Sequence, residues 1–395
     1  MKLNWARGAV AAGVVLTLAA CGSNSGDSAA AGTGNDTSKP ITIGLMVAIS
    51  NALSDPKLFV NPAEMAVGEI NAAGGIGGRQ IILKQYDSDF TTQGAITATQ
   101  KAIADKVEGI IGLPVPDQVL AVRPLLDRAK IPLLFTGGGY AAAYDPNSTK
   151  GASVWSFRVG PPSELTVNAG VQYAVKTLGA KKLGAVLRDD AAKGTNEQAA
   201  KDGATATGGE ITASRTNPLN STDVTTQILA MKDANAVVTT EYQPGIVAVL
   251  KAIQQQNLNI PTIVGQTGMQ VYLQKLAPDL IKTMYSAAPC NMADPANDRV
   301  AKWVTDFQAK YNFMPDPNAA TVYDGFYLLK TAYEKAGSSD PEARLKALES
   351  VEYKDGICVP YKTDAQHFMS GTEVIISFES GQPKTVQTFD FQNQK

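Results

Sequence analysis

The sequence predicts an α/β protein built from two doubly wound lobes with mostly parallel sheets. Three observations predict it. Apolar, strand-like runs alternate with amphipathic, helix-like segments along almost the whole chain. That alternation is the pattern of a parallel sheet with helices on both faces. The pattern breaks in a Gly-, Pro- and Ser-rich stretch from Tyr140 to Pro162 and then restarts at similar length. Finally, 395 residues are more than one domain core usually uses.

In order, "ITIGLMVAI" (41–49) reads as a strand, and residues 62–71 as an amphipathic helix with Pro62 in its first turn. Gly74-Gly75 and Gly77-Gly78 turn the chain into a strand at 80–89. A helix at 91–105, the strand "VEGIIGL", a helix at 119–129 and the strand "IPLLF" complete the first series. The second has helices at 163–178, 197–207, 222–232 and 244–256. Between them lie strands "KLGAVLRDD", "GEITASRTN", "ANAVVTTEY" and "PTIVGQTG". The strand "TMYSAAPCN", helices at 295–311, 317–336 and 341–348, and two hairpin strands around Ser380-Gly381 follow.

Composition excludes several functions. A formal charge of −2 offers no field for nucleic acid. One histidine and three cysteines make a His/Cys metal site a poor expectation, and no cofactor is implied. No Walker loop, zinc motif, G-x-S-x-G elbow or pair of catalytic carboxylates stands out, so the chain is not expected to be an enzyme.

The chain starts with Lys2 and Arg7, an apolar run too short to span a bilayer comfortably, and Leu18-Ala19-Ala20-Cys21. This resembles a bacterial lipoprotein signal, which implies cleavage after residue 20, lipid on Cys21 and an extracytoplasmic location at the cell membrane. An ordinary secretory signal is the alternative. Residues 21–40 are rich in Gly, Ser, Ala and Asn and read as a flexible tether. Outside the cytoplasm Cys290 and Cys358 can pair, although the sequence leaves open whether they meet.

In an open parallel sheet, ligands bind beyond the carboxyl ends of the strands. The loops there are Ser50-Asn51-Ala52, Leu113 to Gln118, Thr136 to Tyr140, Asp189 to Gly194, Glu241-Tyr242-Gln243 and Gln266 to Met269. One of them, "FTGGGY", invites a phosphate-cradle reading. No basic residue or G-K-[ST] follows it, so the reading fails. The glycines offer backbone amides at the floor of a cleft instead.

The segments "AEMAVGEINAAGGIGGRQIILKQYDSD", "GIIGLPVPDQV", "IPLLFTGGGY", "VWSFRVGPPSE" and "VYDGFYLLKTAYEKAGSSDPEARLKALESVEYKDG" resemble, in order, the solute-binding proteins of ABC importers of the branched-chain amino acid type. The resemblance spans about residues 41–390. It implies the type I periplasmic binding protein fold, with two lobes joined by a three-crossover hinge. Residues 41–158 and 289–356 would form one lobe, and 159–288 and 357–395 the other. Cys290 and Cys358 then fall beside predicted crossovers, which favours a disulfide. The implied partners are a small solute, bound by hinge closure, and ABC permease subunits, with the protein a monomer. A ligand-sensing receptor module of the same fold is the alternative.

The chain departs from the family's amino-acid set. The loop at Val115 to Gln118 and the position of Gly139 lack the hydroxyls that anchor a ligand carboxylate. Lys193 stands where an aromatic is common, and no acid flanks Thr267. Candidate replacements in one lobe are Ser50, Asn51, Pro116, Asp117, Gln118, Thr136, Gly137, Gly138, Gly139 and Tyr140. In the other they are Lys193, Glu241, Tyr242, Gln266 and Thr267. Lys193 could pair an anionic ligand group or be a solvated loop lysine, and Asp117 could face the ligand or cap its helix. An organic or aromatic acid or an amide-like solute fits better than leucine, isoleucine or valine. His367 is expected to be exposed.

Overall fold

The computed structural model describes residues 39–50, 55–137, 153–218, 221–269 and 278–391. The readings that fall on Cys21 and the residues around it, Asn51, Gly138, Gly139 and Tyr140 lie outside these.

The first sheet is built from β1 (Ile41–Val47), α1 (Lys57–Ala72), β2 (Ile81–Asp87), α2 (Thr92–Ala104), β3 (Gly109–Gly112), α3 (Pro116–Ala129), β4 (Leu133–Phe135) and β5 (Ser156–Arg158). Its order is β2-β1-β3-β4-β5, and every pairing is parallel. The order reverses between β1 and β3. Their chain-buried strands read as continuous apolar runs because helices cover both faces.

The second series comprises α4 (Ser163–Lys176), β6 (Lys182–Arg188), α5 (Lys193–Ala206), β7 (Glu210–Asn217), α6 (Thr225–Leu229), β8 (Ala236–Thr239), α7 (Gln243–Gln255), β9 (Thr262–Val264) and β10 (Met284–Ala288). After it come α8 (Asp298–Tyr311), α9 (Pro317–Ala336), α10 (Pro341–Leu348), the small ladder of β11 (Glu352–Tyr353) and β12 (Tyr361–Lys362), and the hairpin of β13 (Thr372–Ser377) and β14 (Lys384–Asp390). The second sheet runs β14-β13-β10-β9-β8-β6-β7. Its order reverses between β6 and β8, and only the hairpin enters antiparallel.

Trp303, Phe307 and Phe326 carry α8 and α9 into the core under the first sheet. Ile357, Val359, Tyr361 and Met369 pack in the same core. The chain therefore joins the second sheet only at Thr372, some residues beyond the crossover read from sequence near Gly356. The Cys290–Cys358 disulfide ties the segment just after β10 to the segment between β11 and β12, with Cα atoms 5.3 Å apart. Beside it the buried Asp324 carboxylate accepts from Ile357 N (2.7 Å), Cys358 N (2.9 Å) and Tyr361 Oη (2.8 Å).

Several local expectations change. Pro62 lies inside α1, as its sixth residue. α6 is one turn rather than three, and Gln266–Met269 is a 3-10 turn rather than strand. β5 was hidden in the Gly/Pro-rich break. His367 is 4% exposed and stacks on Phe157, ring centroids 4.3 Å apart, because the chain it sits on fills the space beside β5.

Candidate functional site

The reversal in the second sheet puts the ends of β6 and β8 side by side. A cavity of about 80 Å3 opens there. Arg158, Thr166, Arg188, Tyr242, Gln266 and Thr267 are among the residues that line it. Two of these are arginines, and both are almost wholly buried, at 2% and 7% exposure.

Arg188 is the last residue of β6, so the strand aims it at the crevice. Its Nε and Nη2 donate to Asp190 Oδ2 at 2.8 and 2.7 Å, and its Nη1 donates to the Thr240 carbonyl. The guanidinium lies 4.1 Å from the centre of the Tyr242 ring. Burial works against this charge, but Tyr242 and Asp190 outweigh it and hold the Arg188 pKa above its ordinary value. Burial raises the Tyr242 pKa, with Arg188 opposing.

Arg158 ends β5. Its Nη2 donates to the Pro161 carbonyl at 2.9 Å, and its guanidinium lies 5.6 Å from the Phe135 ring centre. Behind it, Thr166 Oγ1 donates to Glu373 Oε1 at 2.5 Å. Burial pushes the Glu373 carboxyl up to about 8, against the lowering influence of Thr166 and Arg158.

Gln266 faces the first lobe. Asp316 caps α9 through Ala319 N (3.0 Å) and accepts from Asn318 Nδ2 at 3.1 Å. A carboxylate only accepts, so Asn318 must turn its amide nitrogen to Asp316 and its oxygen to Gln266. Gln266 Nε2 accordingly donates to Asn318 Oδ1 at 2.8 Å. Thr267 Oγ1 donates to the Glu241 carbonyl at 3.1 Å.

The structure thus brings Tyr242, Gln266 and Thr267 of the sequence-derived set to one cavity. Lys193 goes elsewhere: it opens α5 and pairs with Asp189 at 2.8 Å on the surface. The Glu241 side chain lies over the start of α7, where a Cβ on Gly245 would stand 2.3 Å from its Oε2. Burial pushes its pKa up to about 7. Ser50 is exposed and donates to Asp89 Oδ1 at 3.3 Å.

Of the first-lobe set, Pro116 is buried at the first position of α3. Asp117 does not cap that helix, whose N-cap is Val115; its Oδ2 accepts from Ala191 N of the other lobe at 3.4 Å. Gln118 Nε2 donates to the Thr91 carbonyl at 3.2 Å. Gln118 Oε1 and Thr136 Oγ1 are buried without a hydrogen-bond partner among the described residues. Gly137 is small for a packing reason: a Cβ there would stand 1.9 Å from Pro114 Cα.

Sequence reading passed over Arg158 and Arg188 as site residues. The signal was present, since each is the carboxyl-terminal residue of its strand, and in "KLGAVLR" Arg188 follows five uncharged, buried residues that carry it toward the crevice.

The family model described as periplasmic binding protein matches residues 40–379. The chain belongs to that family. The Leu/Ile/Val-binding protein homolog 8 of Brucella abortus is 25% identical over 310 residues, covering 74% of this chain and 75% of that protein. Among solved structures, a leucine-binding protein from Thermotoga maritima superposes with a TM-score of 0.80 at 18% identity, over 90% of this chain and 100% of that one. A solute-binding protein of an ABC transporter from Rhodopseudomonas palustris, in complex with 3,4-dihydroxybenzoic acid, gives 0.75 at 20% identity, over 89% and 97%. These likenesses carry the type I fold of two lobes. Within this periplasmic binding protein the two-lobed α/β architecture read from sequence holds.

Proposed function

We propose that this periplasmic binding protein captures a small organic acid or amino-acid-like solute through its carboxylate and delivers it to an ABC permease. One observation carries the reading: two buried arginines, Arg158 and Arg188, line a single cavity at the point where the strand order reverses. A buried guanidinium matches a carboxylate in geometry and charge. In place of the hydroxyl anchors missing from the first lobe stand two cationic donors, Arg158 at the end of β5 in that lobe and Arg188 at the end of β6 in the other. The relatives named for leucine and dihydroxybenzoate both bind carboxylates, which supports the class and leaves the side group open. In this reading the lobes are 41–158 with 289–371 and 159–288 with 372–395. The ligand is held by their closure, and Cys21 carries the lipid that keeps the monomeric protein at the membrane. No catalysis is part of it.

The test is a thermal-shift panel of acids against the corresponding carboxamides, benzoate with benzamide and L-leucine with L-leucinamide. At least one acid should stabilise the mature chain clearly more than its amide. Equal effects of acid and amide would overturn the carboxylate reading. A Cys21→Ser variant released into the soluble fraction would support the anchor, and unchanged membrane retention would refute it.

A further inference from the structure

One first-lobe side chain reaches the cavity wall although it does not line the cavity. Phe90 lies in the loop between β2 and α2. Its ring meets that of Tyr242 edge-on, with centroids 5.5 Å apart and planes at 79°. Tyr242 in turn covers the Arg188 guanidinium. A row of three side chains, Phe90–Tyr242–Arg188, therefore runs from one lobe into the ligand wall of the other.

The loop that presents Phe90 is held in an unusual shape. Asp89 and Phe90 have φ of +49° and +55°, two consecutive non-glycine residues in the left-handed region. A bulky residue adopts that region rarely, and such conformations persist only where the surroundings over-determine them. Here they do. Asp87 Oδ1 accepts from both Ile49 N and Asp89 N, each at 2.9 Å. Thr91 Oγ1 accepts from Gly94 N at 2.9 Å and caps α2, while Gln118 holds the Thr91 carbonyl. The loop is bound on both sides of Phe90, so the ring is placed by its backbone. Asp117, also from the first lobe, touches Ala191 beside the Arg188–Asp190 pair. Two first-lobe contacts thus bracket the cationic wall.

We propose that Phe90 is a positioning residue of the binding site, a closing pin that presses Tyr242 against Arg188 and keeps water from that arginine once the lobes meet. The proposal rests on the carboxylate reading above. Excluding water strengthens the attraction between Arg188 and a bound carboxylate and leaves a carboxamide in its place indifferent. The contact joins two lobes, so opening at the hinge would break it. Its loss should therefore speed ligand release and leave capture by the open form unchanged.

The experiment uses the mature chain with benzoate, benzamide, L-leucine and L-leucinamide as probes, and rates from stopped-flow fluorescence. Phe90→Ala should raise the dissociation rate of the acid that binds by about tenfold, keep the association rate within about twofold, and narrow the preference for acid over amide. Phe90→Tyr should restore all three values. Unchanged dissociation, or a loss residing in association, overturns the proposal while the carboxylate reading stands. Equal losses for acid and amide, together with a lower melting temperature without ligand, would make Phe90 merely structural and also overturn it. Wild-type protein that binds none of the probes overturns the carboxylate reading and this proposal with it.

Discussion

Gln266 Nε2 donates to Asn318 Oδ1 across the cleft at 2.8 Å, and Asn318 is itself held by Asp316 at 3.1 Å. This chain of donors runs in one direction because it ends on a carboxylate. Asn318→Ala removes the cross-lobe partner and leaves the Asp316 cap of α9 in place. The expected result is a larger population of open molecules, seen as an increased radius of gyration in small-angle scattering without ligand. Affinity for the solute should fall roughly three- to thirtyfold, the range of one or two hydrogen-bond equivalents.

The Cys290–Cys358 bridge closes a loop spanning 68 residues. A chain-entropy treatment gives about 4 kcal/mol of stabilisation for a loop of that size. The paired substitutions Cys290→Ser and Cys358→Ser should lower the urea midpoint accordingly. Native far-UV dichroism should persist, because Asp324 still holds Cys358 N and Ile357 N. An unchanged midpoint would show that the crossings are fixed by packing alone.

Glu373 makes stability depend on pH. Its native pKa, about 8, lies above the ordinary value of 4.5, with burial as the main cause. Between those two values the unfolded chain gives up a proton that the native protein keeps, so stability is full below pH 4.5, falls as pH rises to about 8, and is flat beyond. Asp324 and Glu241, pushed up to about 7, and Asp316, to about 6, act in the same sense. Glu373→Gln should flatten the fall in melting temperature between pH 5 and 8. Identical slopes for both proteins would mean that Glu373 is ionised in the native state.

The Arg188–Asp190 pair is buried on both sides, with side chains 8% and 3% exposed. Removing one partner strands a charge. Arg188→Gln alone should cost on the order of 3–5 kcal/mol, and Arg188→Gln with Asp190→Asn clearly less. Denaturation of the single and double variants checks the order. Both should lose the acid preference, which separates the pair's stability role from its ligand role.

The architecture was legible because apolar periodicity is local. Runs such as "ITIGLMV" and "KLGAVLR" are buried on both faces by flanking helices, and each is recognisable without knowing its neighbours. Caps were less legible: Asp117 reads as a cap in sequence yet lies inside α3, whereas Thr91 and Asp340 have side-chain oxygens that reach an amide three residues on. Short elements were not legible. The three residues of β5 are strand only because β4 lies beside them, and Gln266–Met269 turns only because β9 ends against β10.

By itself, then, the sequence determined two α/β lobes, the loops that face a cleft, and two cysteines placed near the chain's crossings. Tertiary structure decided which loop residues meet. It turned Lys193 to the surface and Glu241 over the start of α7, reserved Gly137 for Pro114, and brought Arg158, Arg188 and Tyr242 to one cavity. The physical reason is that strand and helix formation answer to neighbours a few residues away. The direction of a charged side chain at a strand end answers instead to burial, to distant carboxylates and to the opposite lobe, none of which is adjacent in the chain.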